Sequence, residues 1–428
     1  MEVLDFITLL IIMAAFFTLI NVKYLKLPST IGLMLLALGL SLFIITGEYV
    51  FSVLNKLATD LMTEYDFSKV LFQVMLSFLL FAGALDMNLH KLGEEKWPIL
   101  ILATVGTLIS TFVVGTAMYY VIPLLGMHLD YIYCLLFGAL ISPTDPIAVL
   151  AMIKKTTVSE NLESQIAGES LFNDGVGVVV FLSILGVAAH GVENFEPMNV
   201  LRLFGIEVVG GVLLGAVFGY VGLYLLKIID NSHTEIEVLV TLSMVLGGAS
   251  IAETLHVSGP LAMVVMGLFV GRKGRNPEEE DAAGEYVYKF WHLMDEAMNA
   301  ILFILIGLQI IVIHYEADYF YAAAIAIIVV LAARFIGVSI PISIMRIQRH
   351  FPKYTVRILT WSGLRGGISV ALALSLYEGS HGLTIDSKIV DLIITMTYSV
   401  VLFSIVIQGL TVEKLFKLAA GNTEENKS

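Results

Sequence analysis

The sequence predicts an all-α protein that crosses a membrane many times. Of its 428 residues, 58% are hydrophobic and only 14% are charged, and the mean hydropathy is +0.89. Soluble domains carry about 25% charged residues, so this composition excludes an ordinary soluble domain. Apolar windows of about 20 residues, the length that a helix needs to span a bilayer, recur along the whole chain. Polar residues with Pro or Gly interrupt two of these windows, which predicts two broken helices inside the membrane.

Thirteen apolar windows are predicted to be transmembrane helices. They are 3–22, 28–46, 66–85, 97–121, 130–152, 164–189, 200–226, 235–255, 258–271, 286–311, 318–345, 355–377 and 387–413. The ninth window is short and starts just before Pro260, where a proline suits the first turn of a helix. The seventh carries Gly211, Gly215 and Gly219 at intervals of four, which predicts a helix face that packs closely against a neighbour.

The basic residues support this count and set an orientation, because cytoplasmic loops collect Lys and Arg. With the N-terminus outside, the inner loops and the C-terminal tail hold most of the 24 basic residues. The outer side then holds only Lys56, Lys69, Arg202 and Lys388. We therefore expect a multi-pass protein of the cell (inner) membrane whose residues 414–428 form a cytoplasmic tail.

No motif of an enzyme or of a resident cofactor stands out. The nine histidines are scattered, and neither HExxH nor CxxC occurs. The single cysteine, Cys134, lies in an apolar window, which predicts a packing role. The net charge of -13 arises mostly in loops and ends. We therefore expect no enzymatic activity, no cofactor and no nucleic-acid partner, and a lipid bilayer as the surroundings.

The fifth window is predicted to break at residues 142–146. Pro143 and Pro146 flank the dipeptide Thr144-Asp145. Proline removes a backbone donor and clashes with the carbonyl one turn earlier, so a continuous helix is not expected here. Broken backbone at membrane depth is tolerated only where protein buries it or water reaches it. A carboxylate at such a break predicts a functional site.

The sixth window carries a polar face. Glu169 and Asn173 are four residues apart, as are Ser170 and Asp174, and such pairs lie together on a helix surface. If this face meets the broken fifth helix, Asp145 and Asp174 converge near the middle of the membrane. Two carboxylates, a hydroxyl and free backbone carbonyls suit a hard cation such as Na⁺. The same carboxylates can instead take a proton, so binding of the cation and of the proton would be mutually exclusive.

The twelfth window is interrupted around Arg365 by the small residues of the sequence WSGLRGGIS. The twelfth window is the fifth when the count starts at the eighth, so the two broken helices occupy the same ordinal position in two halves of the chain. The twelfth window comes seven positions after the fifth, and because this number is odd, the halves would be inverted. The seventh window would then connect the two halves. Matching interruptions in inverted repeats are typical of the binding site of a transporter.

Two arginines fall within the predicted spans, where a cation needs a partner. Arg365 lies at the break of the twelfth helix, and Glu169 is predicted to be its partner. Asp145 and Asp174 would then be the acids that bind the cation and the proton in turn. Arg334, in the eleventh window, has no partner that the sequence identifies.

Two further acids are weaker candidates. Glu207 lies within the seventh window, where a structural role and a functional role are equally consistent with the sequence. Glu253 lies near the end of the eighth window and is predicted to reach an interface or a helix terminus.

Three motifs resemble those of the cation/proton antiporter superfamily, in its NhaP-type and sodium/proton-exchanger branch. They are SPTDPIAVL at 142–150, GESLFNDGVGVVVF at 168–181 and WSGLRGGISVALAL at 361–374. The resemblance implies an antiporter fold with two crossed, interrupted helices, a homodimer and an elevator-like movement. It implies a dimerisation domain of residues 1–96 and 235–311, a six-helix core of residues 97–189 and 318–413, and a linker helix at 200–226.

The resemblance also implies roles for individual residues. By position, the transported ion would contact Thr144, Asp145, Ser170 and Asp174. Glu169 would lie behind them, paired with Arg365, and Asn173 would hold the site together by hydrogen bonds across the break. The dipeptide Asn173-Asp174 matches the pattern that the family associates with electroneutral exchange.

The leading hypothesis is therefore a secondary antiporter that exchanges Na⁺ (or Li⁺) for H⁺. The same machinery could move K⁺, because the type of ligand alone does not set the size of the site. An intramembrane aspartyl hydrolase also uses two facing acids, although no GxGD motif occurs. A cation channel is the remaining alternative, and it would not need a site that takes up protons.

Overall fold

The computed structural model describes residues 3–46, 74–153, 160–190, 197–229, 234–271, 282–311, 316–352, 354–377 and 385–425. Within these ranges the secondary structure is helical, and one isolated antiparallel bridge joins Asp145 and Leu364. Nine helices of the described ranges are long and apolar enough to cross a membrane by length and composition.

Eighteen α-helices follow one another in the described ranges. In the first half they are α1 (Val3–Ile20), α2 (Ser29–Thr46), α3 (Leu76–Asp86), α4 (Leu89–Glu94), α5 (Lys96–Ile101), α6 (Thr107–Val121), α7 (Tyr131–Ile141), α8 (Ile147–Ile153) and α9 (Glu160–His190). In the second half they are α10 (Pro197–Ile228), α11 (Thr234–Leu255), α12 (Gly259–Gly271), α13 (Ala282–Leu308), α14 (Ala317–Met345), α15 (Thr355–Trp361), α16 (Gly367–Leu374), α17 (Ser387–Phe403) and α18 (Gly409–Glu425). A π turn at Leu102–Gly106 joins α5 to α6, and another at Ser404–Gln408 joins α17 to α18.

The predicted fold class is confirmed. Each predicted window contains a helix or a broken pair of helices, with α7 and α8 in the fifth window and α15 and α16 in the twelfth. The third window is described only from residue 74 onwards. At the C-terminus, α18 continues to Glu425, so a helix extends into the predicted tail.

The fifth helix breaks where the two prolines predict it. Its first part ends at Ile141, and Ser142 still closes a last turn through a hydrogen bond from its N–H to the Ala139 carbonyl oxygen (3.3 Å). The second part begins at Ile147, directly after Pro146. Proline is accepted there because the first N–H groups of a helix have no partner within the helix. The break therefore follows from local chemistry.

The two broken helices lie inside the protein. All residues from Cys134 to Ile141 are buried, as are most of those in α16. By contrast, α1 and α10 turn large apolar side chains outwards, including Phe16 and Tyr220. Broken backbone at membrane depth requires this arrangement, since lipid offers no hydrogen bonds.

The helices pack in two groups. In one group, α5, α6, α7 and α9 pack with α14, α16 and α17. In the other, α1, α2 and α3 pack with α11, α12 and α13, and α10 lies against α12. Both broken helices therefore belong to the first group, and α9, α8 and α16 bring this group into contact with the second.

The glycine face of α10 packs closely against α12, as its spacing predicts. A Cβ atom at Gly211 would lie 2.5 Å from the Ser258 carbonyl oxygen, and one at Gly215 would lie 2.5 Å from the Ala262 carbonyl oxygen. Gly219 meets the side chain of Phe269 in the same way. Gly211 and Gly215 thus allow close approach to backbone atoms, and Gly219 makes room for a side chain.

Candidate cation-binding site

The two helix breaks meet through backbone and side-chain hydrogen bonds. The N–H of Asp145 donates to the Leu364 carbonyl oxygen (2.8 Å). The Arg365 guanidinium donates to the carbonyl oxygens of Ser142 and Pro143, the latter at 2.9 Å. A helix end leaves its last carbonyls without partners, and Arg365 supplies partners here. Each break therefore satisfies polar groups that the other leaves free.

A polar chain behind Arg365 holds the second break. The N–H of Arg365 donates to Ser404 Oγ (2.9 Å), whose hydroxyl donates to Gln408 Oε1 (2.6 Å). The amide of Gln408 then donates to the Trp361 carbonyl oxygen (3.2 Å), at the end of α15. Our sequence reasoning missed Ser404 and Gln408. Their spacing of four, which places them on one face of the last predicted helix, is the signal that could have identified them.

The Asp145 side chain is fixed at the break. Its Oδ1 accepts a hydrogen bond from the N–H of Ile147 (2.9 Å) at the start of α8. On the opposite side it abuts Gly366, where a Cβ atom would lie 2.8 Å from Asp145 Cγ. A side chain at position 366 would therefore displace the carboxylate, so glycine is needed for close approach and not for a special backbone angle.

Asn173 joins α9 to the break of the fifth helix. Its Oδ1 accepts from the N–H of Thr144 (3.1 Å), and its Nδ2 donates to Thr144 Oγ1 (2.8 Å). Ser170 Oγ lies 2.9 Å from Thr144 Oγ1. All three side chains are almost completely buried. The structure thus brings together Thr144, Ser170 and Asn173, which the sequence placed on two different helices.

Asp145 and Asp174 share one cavity of about 1320 Å³. Asp174 lies on α9, and only 7% of it is exposed. Thr144, Pro146 and Gly366 line the cavity beside them. The structure therefore places both predicted aspartates in the lining of one cavity.

The predicted partner of Glu169 is wrong. Both carboxylate oxygens of Glu169 accept hydrogen bonds from Arg334, with Nη2 to Oε2 at 3.0 Å. Arg334 also donates from Nη2 to the Leu359 carbonyl oxygen (3.0 Å). Arg365 instead binds the carbonyls of the fifth-helix break, as described above. The sequence left Arg334 without a partner because α9 and α14 are far apart in the chain.

The cavity has an acidic mouth. Asp86 at the end of α3, Lys91 on α4 and Glu160 at the start of α9 line it, and Lys91 lies 3.7 Å from Glu160. Asp86 also accepts a hydrogen bond from the Tyr288 hydroxyl (2.5 Å) on α13. The cavity runs between the two groups of helices, from this mouth to Asp145. Negative charge along such a path attracts cations.

Glu207 and Glu253, the two weaker candidates from the sequence, lie away from this cavity. Glu207 is partly buried on α10, and its backbone carbonyl accepts from the N–H of Ser258 (3.1 Å). Glu253 is exposed near the end of α11, as its position in the window predicts. Neither residue is among the described residues that line the cavity.

Comparison with known proteins gives consistent matches along the chain. Residues 11–418 match the family described as "Sodium/hydrogen exchanger, transmembrane". The Na⁺/H⁺ antiporter NhaP of Pseudomonas aeruginosa is 45% identical over 420 residues, covering 97% of this chain and 96% of the relative. The Na⁺/H⁺ antiporter NhaH of Halobacillus dabanensis is 32% identical over 415 residues, covering 96% and 97%. Among solved structures, the sodium proton antiporter MjNhaP1 of Methanocaldococcus jannaschii is similar in fold, with a TM-score of 0.77 and 21% identity over 97% of this chain and 99% of that chain.

Proposed function

This chain belongs to the sodium/hydrogen exchanger family, and from that premise we propose that it exchanges Na⁺ (or Li⁺) for H⁺ electroneutrally across a membrane. One observation carries the proposal: Asp145 and Asp174 lie together at the end of one cavity, where the two broken helices meet. Carboxylates in such a place can hold a cation or a proton. Competition between the two ligands for one pair of acids is the basis of exchange.

The proposed ion ligands are oxygens from both sides of the break. Asp145 and Asp174 supply negative charge, and Thr144 and Ser170 supply neutral oxygens. Oxygen ligands of this kind suit a hard cation. Asn173 positions Thr144 through its two hydrogen bonds and does not itself titrate.

Glu169, Arg334 and Arg365 are assigned positioning roles. The ion pair with Arg334 holds the Glu169 carboxylate in place behind the proposed ion ligands. Arg365 fixes the carbonyls of Ser142 and Pro143, so the backbone that presents Asp145 stays in place. An exchanger needs this rigidity because its ligands must return to the same geometry in every cycle.

Transport would proceed by alternating access of one group of helices against the other. The two packing groups support a moving core of residues 97–189 and 318–413 and a stationary dimerisation domain of residues 1–96 and 235–311. The helix predicted at 200–226 is the linker between them. In this proposal the protein works as a homodimer through the stationary domain.

We place the protein in the cell membrane with the N-terminus outside and the tail at 414–428 in the cytoplasm. The positive-inside rule supports this orientation. The cavity mouth at Asp86, Lys91 and Glu160 then opens to the cytoplasm. Asp145 and Asp174 would therefore be reached from the inside in this conformation.

The other hypotheses are less well supported. Family membership favours a transporter over an aspartyl hydrolase or a channel. K⁺ in place of Na⁺ remains an outcome of the test below, because the ligand set is the same for both ions.

The proposal is tested with purified protein in proteoliposomes that contain a pH-sensitive dye. Adding NaCl or LiCl outside acid-loaded vesicles should raise the internal pH. Asp145→Asn and Asp174→Asn should each abolish this response while the protein still elutes as a folded dimer. Asp130→Asn removes an acid from an exposed loop and should behave like the wild type.

Strong Na⁺-driven proton movement by the Asp174→Asn variant would overturn the site assignment. A response to KCl with none to NaCl or LiCl would make K⁺ the substrate in place of Na⁺. If no monovalent cation drives proton movement in the wild type, the proposed function itself fails.

A further inference from the structure

One peptide unit of the second break is hydrogen-bonded on both of its sides. The carbonyl oxygen of Leu364 accepts from the N–H of Asp145 (2.8 Å). The N–H of Arg365, which belongs to the same peptide unit, donates to Ser404 Oγ (2.9 Å). The unit is trans, so its carbonyl and its N–H point in opposite directions from one rigid plane. It therefore lies between Asp145 of the transport site and Ser404 of the last span.

The Ser404 hydroxyl is bonded differently from a neighbouring hydroxyl of the same span. Thr397 donates to the Ile393 carbonyl oxygen (2.7 Å) one turn earlier in its own helix, an arrangement that hydroxyls in helices commonly adopt. Ser404 instead donates to the side chain of Gln408 (2.6 Å). Its lone pairs then accept the N–H of Arg365. Ser404 thus binds the break and not its own backbone.

Gln408 completes this chain of hydrogen bonds within the protein. Only 3% of Gln408 is exposed, and a buried amide costs free energy unless it is hydrogen-bonded. Its Oε1 accepts from Ser404, and its Nε2 donates to the Trp361 carbonyl oxygen (3.2 Å) at the end of α15. Because Trp361 precedes the break and Arg365 lies within it, the amide joins two points of the interrupted helix.

The backbone that carries both side chains has an uncommon form. Residues Ser404–Gln408 make the π turn between α17 and α18, and the N–H of Gly409 bonds to the Ser404 carbonyl oxygen. Single π turns within α-helices are rare and are frequent at functional sites. In this turn both polar side chains of the last span are directed to the second break.

We propose that Ser404 and Gln408 are positioning residues of the transport site, which hold Asp145 in place through the Leu364–Arg365 peptide unit. Movement of this unit would displace the carbonyl that binds the N–H of Asp145, and also Gly366, against which its carboxylate lies. Hydrogen bonds in such a buried chain strengthen one another. The inference rests on the proposed function, because the position of Asp145 affects transport only if this acid binds the ion.

The first test measures the KM for Na⁺ in proteoliposomes. Ser404→Ala leaves the N–H of Arg365 without its acceptor. Its KM should rise about fivefold, which is the effect of one ordinary hydrogen bond on an equilibrium constant. Gln408→Met keeps the Ser404 hydroxyl and should raise the KM by a smaller factor. Thr397→Val is the matched control, because it removes a buried hydroxyl of the same span whose hydrogen bond stays within its helix; its KM should equal that of the wild type.

Hydrogen exchange in detergent tests the same contact without transport. Peptides that contain the amide of Arg365 should show about fivefold faster exchange at this position in Ser404→Ala than in the wild type, because the amide has lost its acceptor. Thr397→Val should leave this rate unchanged. A slower or equal rate in Ser404→Ala would show that Ser404 does not hold the break.

A wild-type KM in Ser404→Ala, together with a lowered thermal midpoint, would overturn the proposal, because a purely structural role does not alter the ion affinity of the folded protein. Equal increases in KM for Ser404→Ala and Thr397→Val would also overturn it. If Ser404→Ala does not fold, Gln408→Met decides, and a wild-type KM in that variant overturns the proposal. If the wild type shows no exchange of ions, the proposed function fails. The exchange rate of the Arg365 amide then decides the contact alone, and an unchanged rate in the folded variant overturns it.

Discussion

The Arg334 guanidinium donates hydrogen bonds to both carboxylate oxygens of Glu169, and both side chains are buried. This pair joins α9, which carries Asp174, to α14 in the second half of the chain. Arg334 also binds the Leu359 carbonyl oxygen near the end of α15. Arg334 thus connects the acidic face of the sixth span, in the first half of the core, to two helices of its second half.

A double-mutant cycle should show strong coupling between these two residues. Removing one member of a buried pair leaves an uncompensated charge, which typically costs about 3–5 kcal/mol. Glu169→Gln and Arg334→Met should therefore each lower the thermal midpoint, and the double variant should lose less than the two single losses added together. The measurement is the unfolding midpoint in detergent, monitored by tryptophan fluorescence.

The cycle between Glu169 and Arg365 is the matched control. Because Arg365 donates to backbone carbonyls, its loss and that of Glu169 should be closer to additive. Larger coupling in this second cycle than in the first would contradict the observed pairing.

Gly366 should be intolerant of any side chain. In Gly366→Ala the new Cβ atom would lie 2.8 Å from Asp145 Cγ, closer than van der Waals contact allows. The carboxylate must move, and displacement of a ligand by about 1 Å can cost about a hundredfold in rate. We expect loss of Na⁺-driven proton movement with a small change in thermal stability. Gly39→Ala is the control, because a Cβ atom there meets nothing within 4 Å; equal activities of the two variants would refute the prediction.

The hydrogen bonds of Glu95, at one end of the core, should stabilise the fold without affecting the transport site. Glu95 is fully buried, accepts from Gln165 Nε2 (2.7 Å) and forms an ion pair with Arg349. Hydrogen bonds to a charged group contribute about 1.5–3 kcal/mol, so Glu95→Gln should lower the thermal midpoint measurably. The KM for Na⁺ of the folded protein should not change, because Glu95 does not line the cavity.

The exposed pair of Glu285 and Lys289 is the control for Glu95. Its charged atoms lie 2.7 Å apart, but both side chains are solvated, and such pairs add little stability. Glu285→Gln should therefore leave the thermal midpoint unchanged. A shift as large as that of Glu95→Gln would show that charge, and not burial, sets the effect.

Local chemistry made most of the fold predictable. Pro143 and Pro146 disrupt the fifth helix wherever it lies in the protein, and the glycines around Arg365 have the same effect on the twelfth. Helix spacing also placed Ser170 and Asp174 on one face. These features depend on a few neighbouring residues, so the sequence alone reveals them.

Pairings between distant helices were not predictable in the same way. Arg334 and Arg365 are chemically alike, and the choice of a partner for Glu169 depends on how α14 and α15 dock against α9. The roles of Ser404 and Gln408 also depend on this docking, because their partner is the backbone of the second break. Packing geometry decides these contacts, and hydropathy carries no information about it.

The last prediction concerns the stoichiometry of exchange. Arg334 neutralises Glu169, and the Asn173 amide does not titrate, so Asp145 and Asp174 are the acids that respond to the ion. Both can be charged around Na⁺. When the ion leaves, two like charges face each other, and a single proton relieves this repulsion. Each stroke of the cycle then carries one positive charge, so exchange should be 1:1 and insensitive to voltage.

The reversal condition in proteoliposomes tests this stoichiometry directly. A K⁺ gradient with valinomycin imposes a membrane potential, and the Na⁺ gradient at which net proton flux stops is measured for several fixed pH gradients. For 1:1 exchange this null point is reached when the Na⁺ and H⁺ gradients are equal, whatever the potential, because no net charge moves. If the null point shifts with the imposed potential, a second proton is carried, and the residue to examine first is Glu169, by repeating the measurement with Glu169→Gln. A null point that stays fixed in the wild type supports the assignment of Glu169 to the ion pair with Arg334 throughout the cycle.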